Sequence, residues 1–211
     1  MIEQKQLSEV IELWKTNKKQ YVKKSSFAAY ILLIENHLLP IFGDKCFIEE
    51  ADVQNFVFKK LEAGLSHKTI KDILIVLKMI MKFGAKNKWL EYTPFDIQFP
   101  TEREKHNIEV LSRADQKKIM NYIQEHFTFR NLGVYICLSA GMRIGEICAL
   151  TWEDIDTDSG VINVRQTIQR IYIIEDGKRR TELILDTPKT KNSIREIPIS
   201  KDLLRILKPF K

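Results

Sequence analysis

The chain has 211 residues, with 34 Lys plus Arg against 28 Asp plus Glu, a net charge of +6 and 44% apolar residues. That balance is ordinary for a globular protein and excludes a disordered tail, a collagen-like chain and a disulfide-stapled miniprotein. The length predicts one or two domains at about 150 residues each.

The first hundred residues predict helices only. Apolar residues at 7, 10, 11 and 14 give a helical period over 7–18. Ser25 can cap a second helix over 25–38, which Pro40 and Gly43 should end. A third is predicted over 51–63, stopped by Gly64, and Ser66 opens a long fourth over 66–86. Four helices with short turns make a small bundle. Pro94 and Pro100 then precede the charged, aperiodic run 101–106, which predicts a linker over 98–110 between domains at 1–97 and 111–211. Beyond it, helices are expected over 113–126, 130–140 (ending at Gly141) and 143–150. The period then changes from 3.6 to 2, predicting strands at 161–164, 182–185 and 195–199, the last two joined by a polar hairpin turn at 187–193.

No apolar run approaches the roughly 20 residues of a membrane span; the most apolar stretch, 73–83, is broken by Lys78 and Lys82. The opening Met-Ile-Glu-Gln-Lys-Gln-Leu lacks the apolar core of a signal peptide. Cys46, Cys137 and Cys148 form no Cys-x-x-Cys pair, which suits a reducing compartment. The expectation is a cytoplasmic, bacterial protein with no membrane partner.

Placement of charge says more than its sum. Residues 1–100 hold 15 Lys and 12 acidic residues but no Arg. At 100° per residue, Lys68, Lys71, Lys78, Lys82 and Lys86 fall within an arc of about 80° on the fourth helix. Only Asp72 lies near enough to neutralise them. A solvated face is one reading. A surface for a phosphate backbone is the other, favoured by the near lack of i,i+4 acidic partners, since Asp72 stands at that spacing from Lys68 alone. Lys23 and Lys24, in a cluster with Lys15, Lys18 and Lys19, suggest a second basic surface.

The segment Leu138-Ser-Ala-Gly-Met-Arg143-Ile-Gly-Glu146 runs on through Leu150, Trp152, Asp154 and Ile155 to Asp156. Gly141 permits a sharp turn, after which Arg143 projects from the first turn of a helix, where a guanidinium and a positive helix end together suit a phosphate. A plain Arg143–Glu146 surface ion pair is the competing reading. The segment resembles the first conserved box of the tyrosine recombinases, or phage integrases: Gly141, Arg143, Ile144, Glu146, Leu150, Trp152, Asp154 and Ile155 all match, with Ser139-Ala140 in place of the usual Thr. Leu39-Pro-Ile-Phe-Gly43, Gly64-Leu-Ser-His-Lys-Thr-Ile70 and Leu111-Ser-Arg113 fit the same family. Pro188-Lys189-Thr190-Lys191 through Pro198 is similar to its lysine-bearing hairpin.

The resemblance implies an all-α, SAM-like four-helix core-binding domain. A partial α+β catalytic domain with a small antiparallel sheet follows. It implies site-specific DNA recombination or integration through a phosphotyrosine intermediate, with no metal or other cofactor. Double-stranded DNA is the partner, the complete enzyme assembles as a tetramer on it, and the setting is the bacterial nucleoid. Arg143 matches the first of two phosphate-binding arginines. Lys189 matches the general acid, with Lys191 as the alternative, and Glu146 braces the box. The DNA-binding residues expected, from the placement of charge, are Lys23, Lys24, Lys68, Lys71, Lys78, Lys82 and Lys86. The family's second box, His-x-x-Arg, and its nucleophilic Tyr are missing: no His here precedes an Arg at that spacing, and the last tyrosine is Tyr172. The sequence is therefore expected to be a catalytically incomplete piece of a recombinase, or else a non-catalytic DNA-binding remnant or regulator.

Overall fold

The structure is a computed structural model describing residues 4–101, 109–175, 178–188 and 190–210. The chain divides into two compact units: Met1–His106 with Ile171–Thr181, and Asn107–Arg170 with Glu182–Lys211.

The first unit is helical: α1 (Leu7–Lys18), α2 (Lys24–Leu33), α3 (Leu39–Phe42), α4 (Glu50–Glu62) and α5 (His67–Lys86). Ser66 caps α5, its Oγ accepting the Thr69 N–H at 3.1 Å, which satisfies one of the donors a helix start leaves open. Ile70, Ile73, Val76, Leu77, Ile80 and Met81 recur at helical spacing and are all buried. They pack with the buried faces of α1 and α4 and with α3, whose Phe42 meets Phe56 of α4 at 5.3 Å between ring centroids.

The second helix does not stop near Leu38, as the proline predicts. It continues from α2 through one π-helical turn, Ile34–Leu38, into α3. The Leu39 N–H donates to the Ile34 carbonyl, five residues back, and the widened turn lets the chain pass Pro40, which has no N–H to give. The whole run Lys24–Phe42 is, by length and composition, long and apolar enough to cross a membrane, which corrects the expectation that no stretch approaches that length. In the fold its Ile31, Ile34, Leu38 and Phe42 are buried in the bundle core.

Residues after α5 stay attached to this unit. Gln54 and Gln98 exchange two hydrogen bonds, the Gln98 N–H to Gln54 Oε1 and Gln54 Nε2 to the Gln98 carbonyl, both 2.9 Å. Phe99 lies under the Lys71 ammonium, 5.1 Å from its ring centroid. Most of the expected linker, 102–108, lies outside the described residues.

The second unit holds α6 (Arg113–Glu125), α7 (Phe129–Ala140), α8 (Ile144–Cys148) and α9 (Lys201–Leu207) beside a sheet of β1 (Ile155–Asp156), β2 (Val161–Val164) and β5 (Arg195–Pro198) in the order β1-β2-β5. Both pairings are antiparallel, with Ile162 opposite Ile155 on one side and Ile197 on the other. Ser112, Thr128 and Ser200 cap α6, α7 and α9 through their hydroxyls.

Two longer strands, β3 (Thr167–Glu175) and β4 (Lys178–Asp186), pair with each other in a separate two-stranded sheet. This corrects the expected hairpin. The strands flanking 187–193 are not partners, because β5 pairs with β2, where Ile197 meets the fully buried Ile162. Contact of Ile197 with that buried residue favours β2 as the partner over the strand on the other side of the turn.

Candidate functional site: Arg143, Glu146 and Arg195

The site begins where α7 ends. Gly141 adopts φ +61° and its N–H caps the helix on the Cys137 carbonyl at 3.0 Å; the left-handed turn is why a glycine stands there. Met142 is buried, and Arg143 precedes α8 in extended conformation. Gly145 has a steric reason of its own. A Cβ on it would lie 2.6 Å from Thr167 Oγ1 and 2.8 Å from the Ile168 carbonyl oxygen, so α8 rests directly on the start of β3.

Glu146 is the buried charged residue at the centre, with 3% of its surface exposed. Its Oε2 accepts the Arg143 N–H at 3.0 Å and its Oε1 accepts Arg143 Nη1 at 2.9 Å. Across the sheet, Arg195 grips the same carboxylate with both arms, Nη1 to Oε1 at 3.1 Å and Nη2 to Oε2 at 2.9 Å. Arg195 Nη1 also donates to the Ser193 carbonyl at 3.0 Å, tying in the turn Lys191–Ser193. The Arg195 hydrogen bonds are the largest cause holding the Glu146 carboxyl down at about 2; burial opposes them, and the Arg143 N–H and guanidinium assist. The Arg195 guanidinium is raised in turn, chiefly by its bonds to Glu146. Bidentate, charge-assisted pairs of this kind are among the stronger hydrogen bonds in proteins.

Beside the carboxylate opens a pocket of about 430 Å³ lined by Gly141, Arg143, Thr190, Asn192, Ser193 and Arg195. Its wall is polar and carries two guanidiniums. The Arg143 side chain is 71% exposed to solvent, against 30% for Arg195. With Glu146 ionised the three groups sum to one positive charge, and Arg143 has donors to spare. The arrangement suits a small anion of phosphate size.

Contrary to the expectation from sequence, the start of α8 adds no positive helix end for a phosphate, because the helix is five residues long and the Glu146 carboxylate already caps it. Glu146 is a buried carboxylate shared by two arginines, not one half of a surface pair. Arg195 is a site residue that sequence reasoning missed. Its signal lies in the alternation of β5, where Arg195 and Ile197 take the half-buried phase while Glu196 and Pro198 face out. Lys189 lies outside the described residues; Lys191 begins the turn whose other members line the pocket.

In the helical unit, Lys68, Lys71, Lys78, Lys82 and Lys86 are all exposed on α5. Among the described residues none of them forms an ion pair. Ile75, 54% exposed, lies within their arc. Lys23 and Lys24, also exposed, stand at the start of α2. Among the described residues no group of three or more His, Cys, Asp or Glu is placed to hold a metal ion.

Two family models match this chain, together covering about three quarters of it. Residues 109–210 match the phage integrase family, and residues 6–61 the phage integrase N-terminal SAM-like domain. Both matches are to phage integrase models, and the chain belongs to the phage integrase family. It is 29% identical over 197 residues to a XerC-like tyrosine recombinase of Caldanaerobacter subterraneus, covering 88% of this chain and 50% of that protein. It is 30% identical over 184 residues to the ICEBs1 integrase of Bacillus subtilis, covering 85% and 47%. The chain therefore spans about half the length of these relatives. In fold it is similar to the Tn1549 transposon integrase solved in complex with transposon right-end DNA, with a TM-score of 0.74 at 21% identity over 97% of this chain and 64% of that one.

Proposed function

We propose that this chain is the DNA-gripping and first-arginine portion of a site-specific recombinase. Duplex DNA runs along the α5 lysines and the Lys23–Lys24 surface, and Arg143 receives the phosphate that is to be cut. The observation that carries the reading is the pocket beside Glu146, where an exposed guanidinium is held by a buried carboxylate; the sequence motif matches that residue to the family's first arginine. There it donates to a non-bridging oxygen whose charge grows as the phosphorus becomes five-coordinate, and donors aimed at developing charge stabilise a transition state more than a ground state. Lys189, or Lys191, supplies the proton to the leaving 5′ hydroxyl. The nucleophile, the second arginine and the His pair must come from residues that this sequence does not contain. In this reading the chain alone binds DNA without cleaving it. Cleavage, rejoining and tetramer assembly belong to the complete enzyme in the nucleoid.

Binding tests the reading. Anisotropy of a labelled duplex should give a log–log salt dependence, which Lys78→Glu plus Lys82→Glu flattens by about 0.9 for each phosphate no longer neutralised. An unchanged slope in that variant removes α5 from the interface. No covalent protein–DNA adduct should form on a nicked duplex; an adduct would refute the division of labour.

A further inference from the structure

The family resemblance gives Arg195 no role, yet its guanidinium makes three hydrogen bonds in the site. We propose that Arg195 is a positioning residue: by holding Glu146 with both arms it neutralises that carboxylate and leaves the charge of Arg143 free for the phosphate, an inference that rests on the reading of Arg143 as the phosphate ligand.

Without Arg195, Glu146 and Arg143 face each other at 2.9 Å with a net charge of zero. Two further bonding sites on the carboxylate would fall open in a nearly buried place, and the cation left beside them is Arg143 itself. The guanidinium would be drawn onto the carboxylate and away from the pocket. With Arg195 present, both oxygens already have a cationic partner. Arg143 then needs to give only its N–H and one arm of its guanidinium, and the side chain that keeps the other donors lines the pocket. Arg195 also ties the Ser193 carbonyl, so one guanidinium fixes both the carboxylate under Arg143 and the turn opposite it. A lysine carries the charge but lacks the planar fork that makes this double grip.

The probe is inorganic phosphate, titrated into the whole chain while the arginine Nε–Hε NMR signals are followed. Arg143→Gln identifies the Arg143 signal and should abolish its response. If phosphate moves no Arg143 signal in the unchanged protein, or moves the same signals in Arg143→Gln, the reading of Arg143 fails and this inference falls with it. Given that response, Arg195→Gln should weaken phosphate binding about tenfold, the effect of cancelling one close charge. Adding Glu146→Gln to it should regain most of the loss, because the competing negative charge is then gone. Arg195→Lys should bind phosphate better than Arg195→Gln. If Arg195→Gln does not fold, the double variant and Arg195→Lys carry the comparison. A double variant that binds no phosphate, beside a lysine variant that binds as well as the unchanged protein, would make Arg195 a direct ligand and overturn the proposal. Full binding by Arg195→Gln overturns it as well.

Discussion

Acidification should loosen the second unit through one carboxyl group. Glu146 ordinarily titrates near 4.5 and is held at about 2 in the folded chain, chiefly by Arg195. A carboxyl whose folded value is depressed contributes stability above its unfolded value, and the contribution drains as pH falls from about 4.5 through about 2. At about 1.4 kcal/mol per pH unit the ceiling is about 3 kcal/mol. The site opens to solvent on the Arg143 side, so about 2 kcal/mol is the expected size after screening. Urea unfolding followed by 19F NMR of 5-fluorotryptophan separates Trp152, in this unit, from Trp14 and Trp89 in the helical one. The Trp152 transition should lose about 2 kcal/mol more between pH 5 and pH 2.5 in the unchanged protein than in Glu146→Gln, which has no proton to take up there. Other carboxylates, among them Asp52 with its value lowered by Lys45, cancel in that difference. Equal losses in the two proteins would refute the reasoning.

Three substitutions test the packing that presents the site. Gly145→Ala should destabilise the Trp152 transition by about 1–3 kcal/mol, since its Cβ meets backbone on β3 that cannot swing aside; an unchanged midpoint would mean that α8 does not rest on β3. Ser66→Ala should cost the helical unit about 1 kcal/mol in urea, through loss of the α5 cap, and a loss confined to the Trp152 transition would contradict it. Phe56→Ala should cost that same unit about 3–5 kcal/mol, because the ring is 2% exposed against Phe42; the Trp14 and Trp89 signals report it.

Elements governed by neighbours in sequence were legible. The cap at Ser66, the apolar phase of α5 and the αL glycine ending α7 all depend on residues within a turn or two, and each stands where the pattern puts it. Pro40 is a local stop signal, and the π-turn before it evades the stop. Strand β3 does not show in the sequence at all. Its Thr167-Ile-Gln-Arg-Ile-Tyr-Ile-Ile-Glu175 has apolar residues in both phases, so alternation marks no face. The β2–β5 pairing joins residues more than thirty positions apart, and nothing near the turn at 187–193 announces it. One of the three site residues shares that fate: Arg143 and Glu146 lie within one motif, whereas Arg195 reaches them only through that distant pairing.

The helical unit is not one continuous stretch of chain. Residues 171–181 are counted with it, Ile174 packs against its core, and Arg179 bonds the side chain of Asn36. A protease nick anywhere in 102–108 would therefore cut the backbone without releasing the first unit intact, since part of it is carried on the other fragment. The nicked halves should travel together through a sizing column until denaturant is added. A clone ending at residue 106 would express the helices stripped of the ribbon segment that covers α1 and α2. For this molecule a cut in the gene and a boundary in the fold are different things.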